Sequence, residues 1–251
     1  MTRALTLLTA VGLTLVPALA QAQQQNPATT DDLLTRPIAL VVALALVAIL
    51  PFAFMTVTAF VKISTVLQIV RGAIGAQGVP SNTVVMALAA ALTMLAMAPV
   101  GTRIAERAEP LWEGEAVKDT PVLVAGLFKA TVEPIRDFLK ANASERERQR
   151  FFELARAARP EAERDQVGRD DLVVLIPSFM VTELLEAFAL GFAIYLPLLV
   201  IDLVVGNVLL ALGMQMMNPT QVSLPFKLLL FVAVDGWGLL AQALVTGYVT
   251  S

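Results

Sequence analysis

Residues 213–237 read GMQMMNPTQVSLPFKLLLFVAVDGW, a methionine-rich polar break that opens into an apolar run. Gly213 and Pro219 bracket the methionines, and because neither residue favours a helix interior, we expect the preceding helix to end here. The apolar run carries Lys227 near its start and Asp235 near its end. A charge inside an apolar segment of a membrane protein is costly, so both side chains need partners. By itself, the pattern predicts a loop between two apolar helical segments.

The composition is typical of a polytopic membrane protein. The chain has 251 residues, of which 57% are hydrophobic, and its mean hydropathy of +0.73 excludes an ordinary soluble domain. It contains no cysteine and no histidine, which excludes disulfides, thiolate chemistry and imidazole bases or metal ligands. We therefore expect neither a metal site nor a cofactor. The net charge of −3 gives no reason to expect nucleic-acid binding.

The amino-terminal residues 1–22 have the pattern of a secretory signal peptide. Arg3 precedes an apolar run, and an A-x-A cleavage site ends at Ala22. The apolar run is shorter than the roughly 20 residues that a membrane span needs, which favours cleavage over an uncleaved first membrane helix. Residues 23–36 are predicted to be a polar spacer.

A first helical hairpin is predicted over residues 37–100, with spans at about 37–58 and 84–100. The segment between the spans carries Lys62 and Arg71 and is less apolar. Its apolar residues lie on one side of a helical projection: Val61, Ile63, Val66, Leu67, Ile69 and Val70. This favours an amphipathic helix against a membrane or a partner. With an exported amino terminus, the two basic residues fall in a short cytoplasmic loop, as the positive-inside tendency expects.

A charged segment follows the first hairpin. Residues 103–171 hold 13 of the 18 Lys and Arg and 15 of the 21 Asp and Glu, so their net charge is only −2. We predict a small helical, extracytoplasmic domain over residues 101–171, with a solvated surface that includes Arg148. Ser144 and Glu147 match a capping box that opens a helix. The expected buried face of that helix is Phe151, Phe152, Leu154, Ala155 and Ala158.

The second helical hairpin region covers residues 172–251 and contains the methionine loop 213–219. Pro177 and Pro197 are candidate breaks in an apolar run long enough for two crossings or one kinked hairpin. The charged residues predicted to be buried polar or assembly contacts are Glu183, Glu186, Asp202, Lys227 and Asp235. Among them we expect Asp202 to pair with Lys227, within one subunit or across a subunit boundary, because an unpaired buried charge is costly.

These patterns predict an all-α fold: a polytopic membrane protein of long kinked helical hairpins with a small helical extracytoplasmic domain. The residues alone leave two functions open, a pore-forming subunit and a secondary transporter that relays ions through the five charged positions. The hydropathy pattern shows no paired inverted repeat that would favour a transporter. An intramembrane hydrolase lacks both histidine and cysteine and any recognisable acidic motif, so we expect no catalytic residues and no enzymatic activity.

Several blocks of the sequence resemble the SctR (YscR) family of type III secretion export-apparatus proteins and its flagellar relative FliP. The blocks are TAFVKISTVLQIVRGAIGAQGVPSN (58–82), LTMLAMAPVG (92–101), PIRDFLK (134–140), IPSFMVTELLEAFALGFAIYLPLLVIDLVV (176–205) and the methionine stretch quoted above (213–237). They occur in the family's order and cover most of the chain after residue 50. FVKI, VPSN, MAPVG and the FLK block favour the virulence-type branch, whereas the signal-like amino terminus is associated more with the flagellar branch.

The resemblance implies a subunit of the bacterial inner membrane, multi-pass in sequence, whose hairpins pack largely at the periplasmic level. It implies a homopentamer that joins SctS-like and SctT-like subunits in an export gate for unfolded secretion substrates. The family's methionine-rich loop forms a ring that closes the pore. That role falls here on Met214, Met216 and Met217, with Gln215 interrupting the series.

Overall fold

The structure, a computed structural model, describes residues 30–76, 78–113, 120–214 and 216–248. Every regular element in those ranges is helical, as predicted. The helices are α1 Thr30–Val57, α2 Phe60–Ile74, α3 Asn82–Glu113, α4 Thr120–Asn142, α5 Glu145–Ala157, the 3₁₀ helix Glu161–Gln166, α6 Leu172–Ala211, α7 Pro219–Ala233 and α8 Gly236–Thr246. The predicted signal peptide, residues 1–22, and most of the polar spacer lie outside the described residues.

The chain divides into two compact units, which meet at Pro51 and Phe52 within α1. The described part of the first unit is the α1 helix from Thr30, so the helix begins inside the predicted spacer. The second unit contains all the other helices. Its α3 helix continues to Glu113, well beyond the predicted span end at residue 100. The predicted end was taken from hydropathy, which falls after residue 100. The helix continues past this point because its backbone hydrogen bonds do not require apolar side chains.

Two helices of the described residues are long and apolar enough to cross a membrane, Asn82–Trp112 and Leu172–Ala211. Two bent pairs meet the same test when each is taken as one broken span. The first pair is Val47–Val57 with α2, and the second is α7 with α8, which meet at 58°. By length and composition, the described residues therefore allow between two and four membrane-crossing segments.

The core of the second unit is built around α2. Ile63, Val66, Leu67 and Val70 are fully buried in it. The helical periodicity of this segment was predicted correctly. The sequence favoured packing of its apolar side against a membrane or a partner, whereas in the structure this side packs against α6 of the same chain. The reason is that Gln68 and Arg71 interrupt only one side of the helix, and the remaining circumference is apolar enough to be enclosed.

Gly191 lets α2 and α6 approach closely. A Cβ atom built at this position would lie 2.6 Å from Cδ1, 2.9 Å from Cγ2 and 3.1 Å from Cβ of Ile69. The terminal Cδ1 could rotate away, but Cγ2 and Cβ are fixed to the α2 backbone. A side chain at Gly191 therefore forces the two helices apart.

The first prediction uses two helical glycines. Gly191→Ala should lower the free energy of unfolding by about 1–3 kcal/mol, the usual cost of overpacking. Gly101→Ala is the matched control, because nothing lies within 4 Å of its added Cβ; it should raise stability by about 0.5–1 kcal/mol through helix propensity. Thermal unfolding of the purified chain, followed by circular dichroism, measures both effects. Equal melting temperatures for the two variants would show that the helices do not depend on this close contact.

The charged segment packs against α6 through the start of α5. Ser144 caps α5 as predicted, accepting a hydrogen bond from the Glu147 amide at 3.4 Å. The Ser144 amide in turn donates to Thr182 Oγ1 on α6 at 3.1 Å. The predicted buried face of α5 was wrong at Leu154 and Ala158, which are exposed, whereas Glu147 is 1% exposed. The helix lies with its first turn on α6, so its later apolar residues point away from the core.

Arg148 also differs from its predicted exposed setting. Its guanidinium lies 2.8 Å from Asp170 Oδ1, and Lys140 binds the other oxygen of the same carboxylate. The hydrogen bond from Lys140, together with the positive charges of Lys140 and Arg148, lowers the pKa of Asp170 below its ordinary value of 3.8. These contacts join α4 and α5 to the residues that lead into α6. The extracytoplasmic location of this segment stays a prediction.

Candidate functional site

The methionine loop begins at a helix end that the backbone defines. Gly213 adopts a left-handed conformation, with φ of 72°. Its amide donates to the Leu210 carbonyl at 3.0 Å, and the Met214 amide donates to the Leu209 carbonyl at 2.9 Å. This pair of bonds is a Schellman motif, which satisfies the last carbonyls of α6 and turns the chain out of the helix. Glycine suits this position because it has no Cβ.

The far end of the loop is fixed by a helix cap. The Asn218 side chain accepts a hydrogen bond from the Thr220 amide at 3.0 Å, and Pro219 occupies the first position of α7. Both features favour a helix start. A defined helix end and a defined helix start therefore hold a short loop between α6 and α7, as the bracketing by Gly213 and Pro219 predicted.

The methionine side chains of the loop are not packed within the chain. Met214 is 42% exposed, Met216 is 101% exposed and Met217 is 44% exposed. In the single chain, these three side chains therefore do not pack between helices. Gln215 lies outside the described residues. The loop presents three flexible apolar side chains to its surroundings, and their role as a pore seal stays a prediction.

A buried ion pair ties together the two helices that flank the loop. Lys227 of α7 is buried, and its Nζ lies 2.7 Å from Asp202 Oδ2 of α6. The same Nζ donates to the Ala73 carbonyl in the last turn of α2 at 3.0 Å, and the Ser223 hydroxyl donates to the other oxygen of Asp202. These are the two residues that the sequence analysis paired. The contact lies within one subunit and includes a third helix that the sequence did not indicate.

A second charge cluster lies at the other end of α2. Lys62 Nζ is 3.1 Å from Glu183 Oε1 and 2.6 Å from Glu186 Oε2, both on α6. The Tyr248 hydroxyl binds the second oxygen of Glu183 and lies 3.2 Å from the Ala59 carbonyl oxygen. Lys62 also sits 4.4 Å from the centre of the Tyr248 ring, a cation–π contact. The cluster joins α2, α6 and the residues after α8.

The sequence did not lead us to identify Lys62 and Tyr248 as members of this cluster. Lys62 was assigned to a cytoplasmic loop because it is basic and lies between two predicted spans. A signal was available, since Ile63 and Val66 beside it belong to the apolar side of the helix, and a lysine there needs an acidic partner. Tyr248 gave no signal, because its partner Glu183 is 65 residues away in the chain.

Of the five charged positions predicted to be buried, Glu183 and Lys227 are buried in the single chain, Asp202 is partly buried, and Glu186 and Asp235 are exposed. The Glu186 side chain is 53% exposed, whereas Glu183 beside it is 1% exposed. Asp235 is exposed and has a left-handed backbone, with φ of 52°, at the break between α7 and α8. The bend at this break carries the Asp235 side chain away from the core. A role for Glu186 and Asp235 as assembly contacts with another subunit stays a prediction.

The second prediction compares the two glutamates that share Lys62. Glu183→Gln should lower the free energy of unfolding by up to about 3–5 kcal/mol, because it leaves a buried ammonium with less compensating charge. Glu186→Gln should cost less than about 1 kcal/mol, because its half-exposed carboxylate is screened by water. The double change Lys62→Met and Glu183→Leu should recover part of the larger loss. The readout is thermal unfolding of the purified chain, and a greater loss for Glu186→Gln would contradict this account.

Comparisons with known proteins agree with the resemblance drawn from the sequence. A model of the FliP family matches residues 43–244. The hypersensitivity response secretion protein HrcR of Ralstonia nicotianae is 42% identical over 209 residues, which cover 83% of this chain and 96% of that protein. Yop proteins translocation protein R of Yersinia pestis is 40% identical, over 83% of this chain and 95% of that protein. The flagellar biosynthetic protein FliP of Caulobacter vibrioides is 35% identical over 248 residues, covering 97% and 90% respectively. The chain therefore belongs to the FliP family.

Proposed function

We propose that this protein is a core subunit of a type III secretion export gate in the bacterial inner membrane. Its relatives are named as translocation, secretion and flagellar biosynthesis proteins. The observation that supports the proposal most strongly is the methionine loop. Hydrogen bonds at the end of α6 and at the start of α7 fix both ends of the loop, and its three methionines are exposed in the single chain. In this role the protein forms a homopentamer, joins SctS-like and SctT-like subunits, and passes unfolded substrates without catalysing a reaction.

The apolar surface of the single chain supports assembly in a membrane. Along α6, Leu203, Val208 and Leu210 are exposed, and only 11% of the most apolar stretch of this helix is buried within the chain. On α7, Leu229 and Val232 are exposed as well. Soluble monomers rarely expose contiguous apolar patches of this kind. Lipid or neighbouring subunits must therefore cover these helices, as expected of a multi-pass membrane subunit that assembles with others.

We favour the virulence-type branch over the flagellar one. HrcR and Yop translocation protein R are 42% and 40% identical to the chain, against 35% for the flagellar protein of Caulobacter vibrioides. The flagellar match covers 97% of the chain, against 83% for the other two. A flagellar export gate remains the second candidate because of that longer match.

The buried charges favour a structural role over an ion relay. A secondary transporter needs acidic groups that are free to bind and release ions within its pathway. Here Lys62 compensates Glu183, and Lys227 compensates Asp202, each through contacts of about 3 Å or less. These carboxylates hold helices together, and the gate is therefore the better account.

Methionine suits a seal that must open for chains of varied shape. Apolar constrictions close a pore by excluding water. The methionine side chain is unbranched and adapts to irregular surfaces, so a ring of thioethers can yield to a substrate and then close again. In the proposed gate, Met214, Met216 and Met217 of five subunits form that ring, and the fixed loop ends direct them towards the axis.

The third prediction tests the seal. Replacing Met214, Met216 and Met217 together by Ala should increase ion conductance through the gate severalfold, because shorter side chains leave a wider, wetter constriction. Secretion of substrate should persist at least in part. The measurement is conductance or small-solute leakage across the inner membrane of cells that contain the assembled complex.

The matched control for the seal is Met94→Ala, because Met94 is exposed on α3 and lies outside the loop. This change should leave leakage at the wild-type level. Native gel electrophoresis confirms that each variant assembles. If the triple variant assembles and its leakage equals that of the wild type, the seal is formed by other residues.

The fourth prediction concerns assembly. Asp202→Ala leaves the buried Lys227 ammonium without its carboxylate, at a cost of about 3–5 kcal/mol, and should abolish most of the assembled complex. Lys227→Ala should also impair assembly, but less, because Asp202 is 21% exposed and keeps the hydrogen bond from Ser223. Exchanging the two residues should restore only part of it. A carboxylate at position 227 would face the Ala73 carbonyl, which now accepts a hydrogen bond from the lysine.

Lys129→Ala is the control for assembly, since Lys129 is exposed on α4. Native gel electrophoresis of detergent extracts, with detection of the subunit, gives the assembled fraction. If both single variants assemble as well as the Lys129 control, the ion pair has no role in assembly.

A further inference from the structure

An apolar cavity of about 650 Å³ lies between the start of α3 and the bent pair of α7 and α8. Its lining residues are apolar throughout and include Val84, Leu88, Leu224, Leu228 and Trp237. The volume falls within the range of roughly 300–1,000 Å³ that is common for ligand sites. All three helices belong to the candidate membrane-crossing segments of the described residues.

A cationic pocket adjoins this cavity. It measures about 310 Å³ and is lined by Gln68, Arg71 and the glycine-rich turn after α2. Ala76 lines both spaces, which places them side by side. Arg71 is the charged residue of this lining, and within the described ranges no carboxylate pairs with its guanidinium.

The start of α7 lies against the same turn. A Cβ atom built at Gly75 would be 3.3 Å from the Thr220 side-chain methyl, and Thr220 is in the first turn of α7. A helix amino terminus carries partial positive charge. The guanidinium and this helix end therefore place positive potential beside an uncharged apolar cavity, an arrangement complementary to an anionic amphiphile.

We propose that this composite site binds an anionic phospholipid, with one acyl chain in the apolar cavity and the phosphate beside Arg71. A second protein helix fits the space less well. A helix is about 10–12 Å across with its side chains, so a volume of about 650 Å³ equals only about one to one and a half turns of it. A single acyl chain is much thinner than a helix. The site is independent of the methionine seal and of the proposed export function.

Trp237 provides a direct probe, because it lines the cavity. The chain has two tryptophans, so Trp112→Phe leaves Trp237 as the sole fluorophore. The full chain carrying this change is reconstituted in phosphatidylcholine vesicles that contain increasing fractions of a lipid with brominated acyl chains, which quench nearby tryptophan. Brominated phosphatidylglycerol should reach half-maximal quenching at about a fivefold lower fraction than brominated phosphatidylcholine, the effect expected of one basic residue near an anionic lipid.

Variants separate the two halves of the site. Arg71→Gln should abolish the preference for phosphatidylglycerol, Arg71→Lys should keep most of it, and the exposed control Lys129→Gln should not change it. Val84→Phe narrows the cavity and should reduce quenching by both lipids, whereas Val122→Phe, at an exposed position on α4, should not.

Three results would overturn the proposal. Equal quenching by the two lipids in the parent protein would exclude an anionic headgroup site. Quenching of Trp237 by neither lipid would exclude an acyl chain from the cavity. Loss of quenching when the co-purified export subunits are present would show that a protein partner occupies the cavity instead.

Discussion

Two buried lysine ammonium groups hold α2 in place along α6. Lys62, near the start of α2, binds Glu183 and Glu186, while Lys227 of α7 binds Asp202 and reaches the Ala73 carbonyl near the end of α2. Because breaking such a pair costs several kcal/mol, a shift of α2 relative to α6 would be strongly unfavourable. The ion pairs therefore specify the register in which Ile69 lies against Gly191.

The sequence predicts contacts between residues that are close along the chain, and it does not predict contacts between residues that are far apart along the chain. Local signals were sufficient for the Ser144 cap, for the loop ends at Gly213 and Pro219 and for the helical periodicity of α2. Asp202 and Lys227 were paired correctly because both are charges in apolar runs close to the same loop. Lys62 was misplaced because its partners lie more than 100 residues away. Hydropathy alone does not distinguish a basic residue in a loop from one enclosed by a later helix.

The start of α5 shows a related limit. Glu147 is buried and Leu154 is exposed, although composition alone favours the reverse. The cap that opens the helix also docks it, because the Ser144 amide binds Thr182 on α6 and the Ser178 hydroxyl donates to the Glu147 carbonyl. Arg146 and Arg150 then compensate the buried carboxylate from its solvent side. The orientation of this helix is set by a contact with a distant segment, which no local pattern contains.

The register imposed by the ion pairs also bears on how the methionine loop can move. The loop joins α6 to α7 between a Schellman motif and an asparagine cap, and the two helices are bound to each other by Asp202 and Lys227. A large excursion of the loop backbone would disrupt one of these three constraints. The thioether side chains, by contrast, are exposed and can change rotamer at little cost. If the loop lines the pore as proposed, adaptation to a passing chain falls mainly on the methionine side chains, because the helix ends on both sides of the loop are held in place.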